Sequence, residues 1–479
     1  MNAPIARLFG VIILLFTLLV VWTTRWTVID SKALENNTLN ARTLIDEEKI
    51  DRGRILADNG EVLAKSVPAP GGTFTRTYPT GSLFAQTVGY SIVSEGEAAG
   101  LELSAGSYLR GIQTGLSSIF GPLGGSTQVG DDVYTTLDPK AQQEAVTGLA
   151  GRVGSVVAIN PQNGAIKAMY SNPTYNDNNP MARCPNNSAC LLNLATQGAG
   201  FPPGSTFKTV TTAAALDTGK FTPNSMINGK SPLTVSGFPL ENDGNTSYPE
   251  VTLTYALTNS INTVFAQVGQ DVGRSTMETY MKRFGFYSIP PLDYPPNQMV
   301  ASGVRTHAGG ALLYPTNTNV DLGRMSIGQE RLLATPLQMA MVAAAVANHG
   351  TLMVPHLISR VVNQDGQVVT TIKPSVYSQV MSAAHASEET QMMTDVVEEG
   401  TGQAANLEGI KVAGKTGTAT IGGTPAAPLD DAWFIGFAPV NDPKVAVAVL
   451  LPGIVNGYGG TYAAPIAAQM IKTLLAEGQ

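Results

Sequence analysis

This sequence predicts an α/β fold built on a five-stranded, mainly antiparallel sheet flanked by helices, and three observations carry the prediction. Residues 155–159 and 165–170 are β-rich runs closed by Asn160-Pro161-Gln162-Asn163-Gly164, and an Asn-Gly pair between such runs favours a hairpin. At the far end of the chain, residues 415–420, 432–438 and 445–451 are three more such runs, the last two joined by Asn441-Asp442-Pro443. Between the two groups the pattern is helical, so both ends of one domain must meet in a single sheet with a helical subdomain between them.

The elements follow in chain order. Residues 8–24 form an uncharged run of 17 residues, roughly 26 Å as a helix, with Trp22 and Trp26 placed where an aromatic belt would lie. A cleaved signal peptide is the alternative. No small-x-small site follows the run, so residues 1–29 are expected to be an uncleaved single-pass anchor with a short tail. Lys/Arg counting does not orient it, because Arg7 and the amino terminus face Arg25 and Lys32. Residues 30–131 read as an irregular, glycine-rich module. Within it, Arg52-Gly53-Arg54-Ile55 opens a strand pair about an Asp58-Asn59-Gly60 turn, and Gly100-Leu101-Glu102-Leu103 stands out from the loops. The main domain is expected over 132–479. Asp138-Pro139 suits a first helical turn and leads into a helix from 140 to about 150. Thr335-Pro336 caps an Ala/Val/Met helix that stops near Asn348-His349-Gly350, and a last helix is expected over 463–475.

Composition removes several function classes. The chain has 479 residues, of which 43% are hydrophobic and only 14% charged, so it is neither a disulfide miniprotein nor a disordered tail. Twenty-nine basic against 36 acidic residues give a net charge of -7. Without a Lys/Arg-rich run to follow a phosphate backbone, this argues against nucleic acid as a partner. His307, His349, His356 and His385 lie far apart without an HExxH motif, and two cysteines cannot complete a four-ligand site, so no metal and no cofactor is expected. Cys184 and Cys190 share a Pro/Asn-rich loop. They read either as a local disulfide in an oxidising compartment or as two unpaired thiols.

Chemistry begins at Phe201-Pro202-Pro203-Gly204-Ser205-Thr206-Phe207-Lys208. Pro-Pro-Gly cannot continue a helix and Ser205 can start one, which puts Lys208 on the same face one turn later. A serine hydroxyl needs a base to become a nucleophile, and a lysine becomes that base when burial and neighbouring positive charge lower its pKa. A lone SxxK carries little weight, its plain alternative being a capping serine with a solvated lysine. Two further clusters add weight. Ser260-Ile261-Asn262 follows the run 251–257, and residues two apart in a turn can aim a hydroxyl and an amide into one cleft. Lys415-Thr416-Gly417-Thr418 opens a strand, where the bare Gly417 would let a ligand lie close to the backbone. An ordinary turn and a surface strand are the plain alternatives.

In this order the three clusters resemble those of penicillin-binding proteins and serine β-lactamases, whose motifs converge on one acyl-transfer site. The resemblance extends through Val156-Val157-Ala158-Ile159-Asn160-Pro161, Ser326-Ile327-Gly328-Gln329 and Ala432-Trp433-Phe434-Ile435-Gly436, and covers most of residues 132–475. The anchor, Arg52-Gly53-Arg54-Ile55 and Gly100-Leu101-Glu102 look like the pedestal of the class B proteins, most like the actinobacterial penicillin-binding protein A type. One departure is Leu194 in Asn193-Leu194-Ala195, where the family usually has Arg.

The resemblance implies a β-lactam-sensitive D,D-transpeptidase that cross-links peptidoglycan stem peptides ending in D-Ala-D-Ala. It would act at the outer face of the cytoplasmic membrane, with its N-terminus inside. It further implies Ser205 as nucleophile, Lys208 as base, and Ser260 with Lys415 as the proton relay to the leaving amine. Asn262 would hold the donor peptide, the backbone N–H groups of Ser205 and Thr418 would form the oxyanion hole, and Thr416 and Thr418 with Lys415 would receive the terminal carboxylate. A SEDS-type glycosyltransferase and other cell-wall assembly proteins are the implied partners. The alternatives are a D,D-carboxypeptidase, a β-lactamase using a glutamate such as Glu278, and a non-catalytic β-lactam-binding sensor or scaffold.

Overall fold

The computed structural model describes residues 2–26, 41–112, 129–182, 188–198 and 200–478. Its first element, α1 (Asn2–Thr24), begins earlier than the apolar run alone predicts, since Pro4 falls in the first turn where its missing N–H costs nothing. Within Ala3–Thr24 an 18-residue stretch reaches a mean hydropathy of 2.6, and it is not buried against the rest of the chain. At 1.5 Å per residue such a helix matches a hydrocarbon core of about 30 Å.

In the N-terminal module, β1 (Ile55–Leu56) and β2 (Val62–Ala69) pair antiparallel about the expected turn, where Gly60 takes a φ of 86°. Then β3 (Thr73–Thr77) continues the meander, and β4 (Asp132–Thr135) joins β1 in parallel. The two motifs singled out in this module meet. Arg52 and Arg76 both bind the buried carboxylate of Glu102, at 2.9 and 2.6 Å. Burial pushes that carboxyl up, but the two guanidiniums outweigh it and hold it below the ordinary range.

Asp138 accepts hydrogen bonds from the N–H groups of Lys140 and Ala141 and so caps α2 (Pro139–Leu149). The hairpin of β5 (Gly154–Ile159) and β6 (Ile166–Asn172) forms as expected. The helical subdomain includes α3 (Lys208–Asp217), α4 (Leu253–Thr258), α5 (Asn262–Val272) and α6 (Pro336–Ala347). The Thr335 hydroxyl caps α6, and His349 and Gly350, at φ 53° and 81°, end it. Next, β7 (Ile358–Val362) and β8 (Val368–Thr371) return to the N-terminal module and complete a six-stranded sheet of order β8-β7-β4-β1-β2-β3. The boundary expected at residue 132 therefore runs through a shared sheet.

The chain closes with α7 (Ala383–Glu398), β9 (Ala413–Thr424), β10 (Ala427–Ala438), β11 (Val445–Val455) and α8 (Ala464–Ala476). The predicted five-stranded sheet has the order β9-β10-β11-β5-β6, and every pairing in it is antiparallel. Side-chain alternation divides its core in two. Val156, Phe434 and Val447 face the layer that holds Ile471 of α8 and Leu149 of α2, whereas Val157, Ile435 and Ala448 face the layer that holds α6. Each fully buried Val, Leu, Ile or Phe side chain among them contributes about 1.5–3 kcal/mol. Clamping β9 between these layers and the helical subdomain is what positions the site.

Candidate active site

Prolines 202 and 203 have no N–H to give a helix, and Gly204 takes a φ of 53°. The chain therefore passes through one tight 3-10 turn, Gly204–Phe207, before α3 starts at Lys208. Ser205 thus sits in this turn, one step ahead of the α-helical N-terminus expected for it. Three contacts hold the turn: Thr206 Oγ1 donates to the Pro203 carbonyl at 2.6 Å, Trp433 Nε1 to that of Pro202 at 2.9 Å, and Gly204 N–H to that of Gly328 at 3.0 Å. A Cβ on Gly204 would lie 2.8 Å from the Thr418 carbonyl oxygen and 3.2 Å from the Thr418 nitrogen. The backbones at Ser205 and Thr418 are therefore neighbours.

A Cβ on Gly417 would lie 2.7 Å from Pro203 O and 2.9 Å from Thr206 Cγ2. The missing side chain makes room for the turn at Pro203–Thr206, so packing within the protein already requires glycine at 417.

Ser260 takes a φ of 57° between α4 and α5, a left-handed conformation that costs a non-glycine residue roughly 1–2 kcal/mol and clusters at functional sites. The strain puts its hydroxyl between two lysines. Lys415 Nζ donates to Ser260 Oγ at 2.9 Å, and Lys208 Nζ donates to Ser260 O at 2.6 Å, Asn262 Oδ1 at 2.8 Å and Ser260 Oγ at 3.3 Å. Among the described residues no hydrogen bond joins Lys208 Nζ to Ser205 Oγ.

Both lysines are fully buried. Burial pushes Lys208 well below the ordinary lysine range, and the positive charge of Lys415 pushes it further, with Asp243 partly opposing. Burial brings Lys415 down to about 7.

Ser205, Ser260, Asn262, Thr416 and Thr418 line one cleft of about 910 Å³, with Lys208 and Lys415 behind its wall. Most of the other lining residues carry no motif, Gln329, Asp430 and Thr401 among them. Gln329 ends the Ser326–Gln329 stretch and lines the cleft. Asp430 accepts from Thr420 Oγ1 at 2.6 Å and Gly457 N–H at 3.1 Å, and Thr401 Oγ1 lies 2.6 Å from Thr416 Oγ1. Their only local signal is a glycine-rich or acidic setting. Glu278 pairs with Lys282 at 2.6 Å on a surface helix and does not line the cleft. Cys190 is disulfide-bonded, which removes the unpaired-thiol alternative for it, while Cys184 lies outside the described residues.

A serine in a tight turn, two buried lysines on one serine hydroxyl and a threonine-lined strand are the make-up of a serine acyltransferase site of the penicillin-recognising kind. Residues 154–472 match the penicillin binding protein transpeptidase domain family, and residues 52–133 match the penicillin binding protein A dimerisation domain family. The chain belongs to the penicillin-binding transpeptidase family. It is similar to peptidoglycan D,D-transpeptidase PbpA of Mycolicibacterium smegmatis, 33% identical over 510 residues covering 100% of both chains. Among solved structures it resembles penicillin-binding protein A from M. tuberculosis as a ceftriaxone acyl-enzyme complex, with a TM-score of 0.80, 31% identity, and 90% of this chain and 100% of that one covered. The D,D-transpeptidase domain from Eggerthella lenta is also similar, with a TM-score of 0.76, 31% identity, and 90% and 99% covered.

Proposed function

We propose that this protein is a peptidoglycan D,D-transpeptidase that works through an acyl-enzyme on Ser205 and is inhibited by β-lactams. The observation that carries the roles is the Ser260 hydroxyl shared by two buried lysines. When Lys208 loses a proton it keeps two donors and gains a lone pair, which can then accept the Ser205 proton. Ser205 Oγ bonds to the penultimate D-Ala carbonyl carbon, and the oxyanion takes the N–H groups of Ser205 and Thr418, donors worth about 3–4 kcal/mol each in such sites. The C–N bond to the last D-Ala breaks, its nitrogen receives the proton through Ser260 and Lys415, and an acceptor amine then takes the acyl group. Asn262 holds the donor peptide, and Thr416, Thr418 and Lys415 take its carboxylate.

The division at residues 29 and 131 into anchor, pedestal and transpeptidase domain is part of the same reading. So are α1 as the anchor, its N-terminus inside, the catalytic domain on the outer face of the cytoplasmic membrane, and a SEDS-type polymerase as partner. The apolar, unburied α1 and the oxidised Cys190 support the outer location.

Mass spectrometry after incubation with penicillin G is expected to show one adduct, on the peptide containing Ser205, and none in Ser205→Ala. That adduct should persist for many minutes and be released faster by a D-amino acid than by water alone. Release within seconds, independent of added amine, would make the enzyme a hydrolase.

A further inference from the structure

Thr401 occupies a stretch of the cleft wall that none of the three motifs supplies. It belongs to Gly400-Thr401-Gly402, the turn between α7 and the short helix Gln403–Ala405. Thr401 lines the cleft together with Thr416 and Thr418. The turn is clamped from both sides. Thr401 N–H donates to the Thr258 carbonyl at 3.3 Å, at the end of the helix that leads into Ser260, and a Cβ on Gly460 would come 2.4 Å from Thr401 O. A Cβ on Gly400 would likewise come 2.4 Å from Thr258 O. The backbone is thus fixed, and the side chain is free to turn about one torsion.

The 2.6 Å contact between Thr401 Oγ1 and Thr416 Oγ1 uses one of the two hydroxyl protons and leaves the other available. An ionised carboxylate offers about four lone-pair sites and accepts charge-assisted hydrogen bonds that are roughly twice as strong as neutral ones. Rotation of both hydroxyls exchanges one threonine–threonine bond for two bonds to the anion, and no backbone has to move.

We infer that Thr401 is a carboxylate-binding residue, its hydroxyl paired with that of Thr416 in a two-pronged seat for the terminal D-Ala carboxylate of the donor peptide and the carboxylate of a β-lactam. The inference rests on the transpeptidase reading and deepens it. Lys415 supplies charge, and the two hydroxyls supply direction, which selects a planar carboxylate over a neutral ester or amide.

The test compares acylation by penicillin G with acylation by its methyl ester, which differs only at the carboxylate, in wild type, Thr401→Val and Thr401→Ser. Thr401→Val removes only the hydroxyl from an exposed, near-isosteric position. It is expected to slow acylation by the acid about tenfold, the loss of one hydrogen bond to a charged group, and acylation by the ester by less than about twofold, with Thr401→Ser restoring the acid rate. Equal slowing with both compounds would show a structural role, and an unchanged acid rate would show none; either overturns the inference alone. Wild type that penicillin G does not acylate at Ser205 would overturn the transpeptidase reading and the inference with it.

Discussion

Two buried lysines on one hydroxyl make the single residues of this site sensitive to pH. Lys415 stands at about 7 in the fold, against about 10.4 in an unfolded chain. A depressed group contributes stability that is fully present above the unfolded value and is lost as pH falls through the folded one. Lys415→Met keeps the volume and drops the charge, so it should be more stable than wild type near pH 7, by an amount on the order of a few kcal/mol. That advantage should shrink as the pH is raised towards 10. Urea unfolding of both proteins at pH 7 and 9.5 checks this, and an advantage independent of pH would mean that Lys415 keeps its ordinary affinity for protons. That Ser205, the two lysines, Ser260 and Asn262 come together at one cleft was legible in the sequence, because each motif is local and its spacing encodes a shared face. The reason for Gly417 was not, since it lies in the approach of Pro203, more than 200 residues away in the chain. Thr401 was equally invisible, for its partner Thr416 is reached only through tertiary packing.

Among the elements, β10 shows how alternation along a strand separates two adjacent acids. Asp430 faces the cleft, while Asp431 is 1% exposed and accepts from Gly453 N–H at 3.1 Å. The β10–β11 register shifts at this point, a bulge that lets both carboxylates find backbone donors. Burial pushes Asp431 up to about 7, and the charge of Asp430 adds to the rise. For a raised acid the sign is opposite to that of Lys415: stability is fully present below the unfolded value, about 3.9, and is lost as pH rises through about 7. Asp431→Asn retains an acceptor for Gly453 and carries no charge. It should melt higher than wild type at pH 8, and the gap should close towards pH 4. A gap of constant size in thermal scans would contradict the burial argument. The same residues explain why the predicted strand began at 432, because an Asp-Asp pair reads as solvated surface until the bulge that receives it is known.

At the scale of the whole molecule, the N-terminal module and the domain that carries the cleft are joined through shared structure. One sheet draws β1, β2 and β3 from the module and β7 and β8 from the far side of the cleft-bearing domain, with β4 between them. Gln86 Nε2 donates to the carbonyls of Pro173 and Cys190, both at 3.0 Å, and Gln142 Nε2 donates to that of Leu83 at 3.0 Å, so polar bonds cross the same junction from both sides. The Arg52–Glu102–Arg76 cluster is tied to β2 and β3 through Ser66 and Arg76, and among the described residues Arg52 Nε and Arg76 Nη2 already have no acceptor. Glu102→Ala would remove the one carboxylate that two buried guanidiniums share, a loss of about 3–5 kcal/mol. If the shared sheet couples the two parts, calorimetry should show a single endotherm at a lower temperature, and hydrogen exchange should rise together in β2 and β5. Below that transition, acylation of Ser205 should proceed at the wild-type rate, because Glu102 touches nothing in the cleft. Two endotherms, with only the smaller one moved by the substitution, would show that the module unfolds by itself and that the sheet is a contact between two independent bodies.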